Sequence, residues 1–190
     1  MKTAIFLSCM LAGGSLVLKT NTANQTFLAY HTTKAKKNTS ALPVEPIRIV
    51  VTKSNYELSV YDAKGWYATY PVVFGNPSLD DKKMEGDRNT PEGSFRIVNK
   101  RIHEKWDRYM GLDYPTHETL EKFNQWKRSG LIPASARPGG GIGIHGTWPH
   151  EDFVIDRYNN WTDGCISLKR EDVEDLYSYC PIGTPITIRK

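Results

Sequence analysis

Two short segments carry residues able to do covalent chemistry. Gly141-Ile-Gly-Ile-His-Gly-Thr147 brings an apolar run to His145, and Asn160-Trp-Thr-Asp-Gly-Cys-Ile166 sets Cys165 at the start of another. A free thiol has a pKa of about 8.5 and is mostly protonated at neutral pH. It becomes a strong nucleophile when a base within hydrogen-bond reach takes its proton, and imidazole supplies that base. Cys165 is therefore read as a nucleophile and His145 as its base. Gly146 and Gly164 flank them. Glycine lets another backbone approach and takes angles that leave nearby N–H groups free for an oxyanion. The competing readings are structural: a cysteine is often a small core hydrophobe, and a lone histidine is often a hydrogen-bonded core residue. Cys165 could also pair with Cys180 as a disulfide, which would block the nucleophile. His145, His150 and Cys165 match no common zinc spacing, so no metal is expected.

The elements that must position these groups read mainly as strands. Ile47–Lys53 and Tyr56–Tyr61 flank a Ser54-Asn55 turn and form a hairpin. Further strands are expected over Trp66–Phe74, Ser94–Val98, Ile142–His145 and Pro185–Arg189. Between them, His117–Arg128 reads as a helix ended by Ser129-Gly130, and Glu171–Tyr179 as a second helix. The acidic run Glu171, Asp172, Glu174 and Asp175 suits a solvated helix face near an N-terminus. Residues 103–138 read as a lid-like excursion carrying Trp106, Tyr109 and Tyr114. The fold class is mainly β with a few short helices (α+β), a sandwich or curled sheet.

Length allows one domain with a sizeable core in 190 residues. The first 20 differ from the rest. Lys2 precedes a mostly apolar run from Thr3 to Leu18, which fits a secretory signal peptide or an uncleaved N-terminal anchor. Residues 21–46 lack periodicity and read as a linker, so the domain spans 47–190. Without Lys2 and Lys19 the formal charge of +4 falls to +2. So weak a balance, with no basic stripe, gives no reason to expect nucleic acid as a partner.

The two chemical segments together resemble the catalytic signature of the L,D-transpeptidase (YkuD-type) family, in its Gram-negative murein-type branch. His145 is followed by Gly146-Thr147, the 14 residues Trp148 to Trp161, and then Thr162-Asp163-Gly164-Cys165. Supporting similarity runs through Lys53–Tyr61, Gly86–Phe95 and Gly183–Ile188. Two positions depart from the pattern: Asp163 stands where histidine is commoner, and Ser167 where arginine often is.

The resemblance implies a β-sandwich catalytic domain and an acyl transfer. Cys165 attacks the carbonyl before the terminal D-Ala of a peptidoglycan stem tetrapeptide, His145 moves the proton, and Gly164 and Gly146 support the oxyanion. A second stem amine then resolves the thioester into a 3–3 cross-link, with a role in wall assembly and cell shape. Water as acceptor gives an L,D-carboxypeptidase or hydrolase, and an envelope-protein lysine gives protein anchoring. An inactive wall-peptide-binding module is the alternative of another class. Asp163, Thr162, Thr147, Ser167, Arg88, Tyr114 and Trp161 are candidate substrate contacts, Arg88 as a bidentate carboxylate ligand. No cofactor is implied, because the thioester keeps the acyl group's energy. The protein is expected across the inner membrane, in the periplasm, touching the membrane only through an uncleaved anchor.

Overall fold

The computed structural model describes residues 33–38 and 41–190. The expected leader over 1–20 and most of the expected linker lie outside them. In chain order the elements are β1 (Lys36–Lys37), β2 (Arg48–Thr52), β3 (Glu57–Asp62), β4 (Gly65–Pro71), β5 (Gly93–His103), β6 (Asp107–Leu112), α1 (His117–Arg128), β7 (Gly143–Gly146), α2 (Phe153–Asp156), β8 (Ile166–Leu168), α3 (Arg170–Tyr179) and β9 (Pro185–Arg189).

Alternation builds the first hairpin. Ile49 and Val51 on β2 and Leu58 and Val60 on β3 are buried, while their neighbours are not. β9 lies parallel beside β2 and adds Ile186 and Ile188 to the same core. The sheet order is β1-β4-β3-β2-β9-β5-β6-β7-β8. β5 joins the two halves: its Gly93–Arg96 stretch pairs with β9, and Ile97–His103 pairs with β6. The sheet then curls, so that residues of both halves, such as Val60, Phe74, Met110 and Ile166, enter one core. Val73 and Ser167 exchange backbone hydrogen bonds at 3.0 and 2.9 Å, joining the chain beyond β4 to β8.

The helices end where their sequences say they should. The Thr116 hydroxyl accepts from the Thr119 N–H to cap α1, with Glu118 in the first turn and Lys127 and Arg128 in the last. Gly130, at φ +72°, follows its end. Val173 and Leu176 of α3, with Cys180 just beyond, pack into the main core. Cys165 and Cys180 are both free thiols, so the disulfide alternative does not form.

Two stretches differ from expectation. The excursion expected over 103–138 begins inside the sheet, because β5 runs to His103 and β6 forms its next strand. β6 is buried on both faces, so it shows no alternation that could mark it as a strand. The described part of the expected linker is docked. β1 pairs with β4, Lys169 donates to the Thr33 carbonyl, and the Thr33 N–H and hydroxyl reach Asp156.

Candidate active site

Register places the site. Across β5, β6, β7 and β8, Arg101 pairs with Tyr109, Tyr109 with His145, and His145 with Ser167. Residues paired across strands share a face. Cys165 lies two residues before Ser167, so it returns to the face that carries His145. Both line a cleft of about 540 Å3, together with Arg101, Trp106, Tyr109 and Trp161.

His145 is 2% exposed. Its Nδ1 lies 2.8 Å from the Gly146 carbonyl oxygen, the acceptor that assigns the proton to Nδ1 and leaves Nε2 unprotonated. The Trp106 ring stacks on the imidazole at 4.5 Å, and Trp161 meets it edge-on at 5.5 Å. Burial pushes the His145 pKa down to about 4, against a smaller upward pull from the Gly146 carbonyl.

The Cys165 thiol is pushed up to about 11, also by burial, while the Gly143 N–H pulls it down. Its Sγ lies 3.5 Å from the Gly141 carbonyl oxygen. The Tyr109 hydroxyl donates to that same oxygen at 3.0 Å. Gly143 makes this possible, because a Cβ there would sit 2.6 Å from the Tyr109 ring. At rest the pair is therefore a thiol and a neutral imidazole.

The loop before Cys165 is held from inside. The Thr162 hydroxyl donates to the Cys165 carbonyl at 2.7 Å and accepts from the Gly164 N–H at 3.2 Å. Gly164, at φ +124°, also lies where a Cβ would be 2.7 Å from the Asn89 carbonyl oxygen. These contacts revise the expected oxyanion support. The Gly164 N–H already has its acceptor, and the Gly146 N–H donates to the Trp106 carbonyl at 3.0 Å. Gly146 instead orients the His145 imidazole through its carbonyl. Among the described residues the Cys165 N–H has no acceptor, which leaves it for an oxyanion.

The candidate substrate contacts divide. Asp163, Thr162 and Trp161 line the cleft. Thr147 is buried and bonds Asp152. Ser167 is buried too, and its hydroxyl has no partner among the described residues. Tyr114 packs on Phe95 and donates to the Pro138 carbonyl, away from the cleft. Arg88 is not a cleft residue: it donates to the Trp161 and Thr162 carbonyls and lies 3.4 Å from Asp163, clamping the loop. Arg101 and Trp148 line the cleft without having been singled out for it, because one sits in a strand and the other in a loop with no motif of its own.

Residues 46–188 match the YkuD family, described as the L,D-transpeptidase catalytic domain. The ATP synthase subunits region ORF 5 protein of Fuscovulum blasticum, which carries an L,D-transpeptidase name, is 28% identical over 109 residues, 54% of this chain and 52% of that protein. The chain thus spans about half the length of this curated relative. Among solved structures, the helical cell shape determining protein Pgp2 of Campylobacter jejuni aligns at TM-score 0.54 and 21% identity, over 76% of this chain and 47% of that one. Bd1075 of Bdellovibrio bacteriovorus aligns at 0.51 and 21%, over 80% and 50%. An L,D-transpeptidase of Mycobacterium tuberculosis aligns at 0.50 and 18%, over 76% and 57%. At these identities the structural likeness speaks to the fold.

Proposed function

We propose that this chain, which belongs to the L,D-transpeptidase catalytic-domain family, transfers acyl groups between peptidoglycan stem peptides through a thioester on Cys165. The observation that carries the reading is the shared cleft wall: a thiol and an imidazole face one cavity, with Nδ1 tied to Gly146 and Nε2 left open.

A thiol near 11 and an imidazole near 4 do not exchange a proton at rest. The transfer accompanies attack instead. Sγ bonds to the carbonyl carbon of the third stem residue as His145 Nε2 takes the thiol proton. The Cys165 N–H holds the oxyanion. Collapse breaks the C–N bond, His145 returns the proton to the leaving amine, and D-Ala departs. An amine of a second stem then attacks the thioester, the 3–3 link forms, and the thiol is restored. Water in place of that amine yields the free tripeptide, and a protein lysine yields an anchored protein. The substrate lies outside the inner membrane, so the proposal entails export, for which Thr3–Leu18 is the sequence feature.

Intact-mass and muropeptide analysis tests this. The chain and its Cys165→Ala variant are incubated with purified disaccharide-tetrapeptide. A thioester adduct on the unaltered chain alone, with loss of D-Ala and a dimeric product, is expected. An adduct with only tripeptide product points to the hydrolytic outcome. Neither adduct nor product from folded protein overturns the reading in favour of a wall-peptide-binding module.

A further inference from the structure

The cleft presents one strong cation that the acyl-transfer steps leave unused. Arg101 lines the cavity, and its guanidinium lies 4.8 Å over the Tyr109 ring. Among the described residues it has no carboxylate partner and no hydrogen-bond acceptor. Nearby arginines are committed: Arg88 to the Trp161 and Thr162 carbonyls, Arg108 to Asp107, and Arg170 to the Thr147 carbonyl. A stacked guanidinium keeps its orientation at little further entropic cost, and its planar N–H edge fits a carboxylate bidentately.

We propose that Arg101 is the receptor for a free carboxylate of the donor peptide, and that it seats the peptide with its reacting carbonyl at Cys165. The proposal rests on the acyl-transfer reading and adds the group that the cleft recognises. Position supports it. Arg101, Tyr109 and His145 are successive partners in one row across β5, β6 and β7. The Tyr109 hydroxyl and Cys165 Sγ both reach the Gly141 carbonyl oxygen. The Tyr109 ring therefore spans from beside the thiol to beneath the guanidinium, a reach on the order of one or two extended residues. Charge supports it as well. Besides Arg101, the charged side chain lining the cleft is that of Asp163, which is 97% exposed. Arg88 lies 3.4 Å from that carboxylate and offsets its charge, so Arg101 is the uncommitted charge on the cleft lining.

Two carboxylates belong to the residues on either side of the scissile bond: the terminal one, and the one on the side chain of a diamino acid at the third position. The test uses the Cys165→Ala variant, which binds without turning over, and calorimetric titration. Three ligands are compared: the free-acid tetrapeptide, its C-terminal amide, and the form amidated on the third residue's side chain. One of the two amides is expected to bind about 10- to 100-fold more weakly than the free acid, and which one identifies the carboxylate. With Arg101→Gln added, that preference disappears while binding of the weaker amide is unchanged. Arg101→Lys keeps part of the preference.

Equal binding of all three ligands overturns the proposal. So does a preference that survives Arg101→Gln, or no binding of any ligand. Acylation of the unaltered chain is followed separately by intact mass. A carboxylate preference without acylation leaves the receptor standing and removes the transferase reading.

Discussion

At the scale of single residues, the proposed thiol and imidazole pair is neutral at rest. Burial holds the His145 pKa near 4 and the Cys165 pKa near 11. Acylation by a donor peptide should then be flat from about pH 5 to about pH 9 and fall below that as the imidazole takes a proton. Alkylation by iodoacetamide should be slow at pH 7 and climb towards pH 11. A plateau already reached by pH 7 would indicate a resting thiolate–imidazolium pair and contradict this picture. His145 also links stability to pH. Folded, it takes a proton only near 4, whereas an unfolded histidine does so near 6.5. The unfolded chain binds more protons between those values, so stability drops as pH falls through that window. Gly164 fixes the backbone that leads into Cys165. Gly164→Ala adds a Cβ 2.7 Å from the Asn89 carbonyl oxygen at φ +124°. It should cost roughly 2 kcal/mol or more in a denaturant melt and lower the acylation rate.

At the scale of elements, α3 begins with a conflict. Asp172 sits in its first turn, where the helix dipole favours a negative charge, but it is buried and its Oδ2 has no partner among the described residues. Burial wins over the dipole and raises its pKa to about 7, with Glu171 adding to the rise. The sign is opposite to that of His145. The folded chain now binds the extra proton between about 4 and about 7, so this contribution is lost as pH rises through that window. Asp172→Asn should raise stability at pH 7.5 by on the order of 2 kcal/mol and leave it nearly unchanged at pH 4. Thermal melts at the two pH values check this, and a gain of equal size at both would contradict it. The strap at 33–38 is a second element with a measurable role. It pairs β1 with β4, and Tyr67 donates to the Ala41 carbonyl beyond it. Removing residues 1–42 should lower stability by about 1–2 kcal/mol while leaving the acylation rate unchanged.

At the scale of the whole molecule, the curl of the sheet is closed around the Cys165 loop. Val73 and Ser167 exchange hydrogen bonds, and Gly75 sits where three backbone segments meet. A Cβ on Gly75 would lie 2.2 Å from the Arg88 carbonyl oxygen, 2.5 Å from that of Thr162 and 2.9 Å from the Gly164 nitrogen. Those are backbone atoms and cannot swing away. Gly75→Ala should therefore cost roughly 3 kcal/mol or more and reduce the yield of folded protein, as read by near-UV circular dichroism. A melt indistinguishable from that of the unaltered chain would show that the loops meet more loosely.

The amino-acid sequence by itself determined what local chemistry can encode. Alternation marked the β2–β3 hairpin, Ser129-Gly130 marked the end of α1, and the spacing from His145 to Cys165 carried the family resemblance. Tertiary structure decided what depends on neighbours distant in the chain. β6 was hidden because burial on both faces removes alternation, and with it went the row that sets Arg101 and Tyr109 beside His145. Arg88 and Arg101 have the same side chain, and only packing shows one clamping carbonyls and the other facing the cleft. The carbonyl that orients His145 belongs to the next residue, Gly146, yet no pattern of residue types reveals a backbone contact. A side chain's identity states which bonds it can make, and the surrounding fold decides which of those are already made.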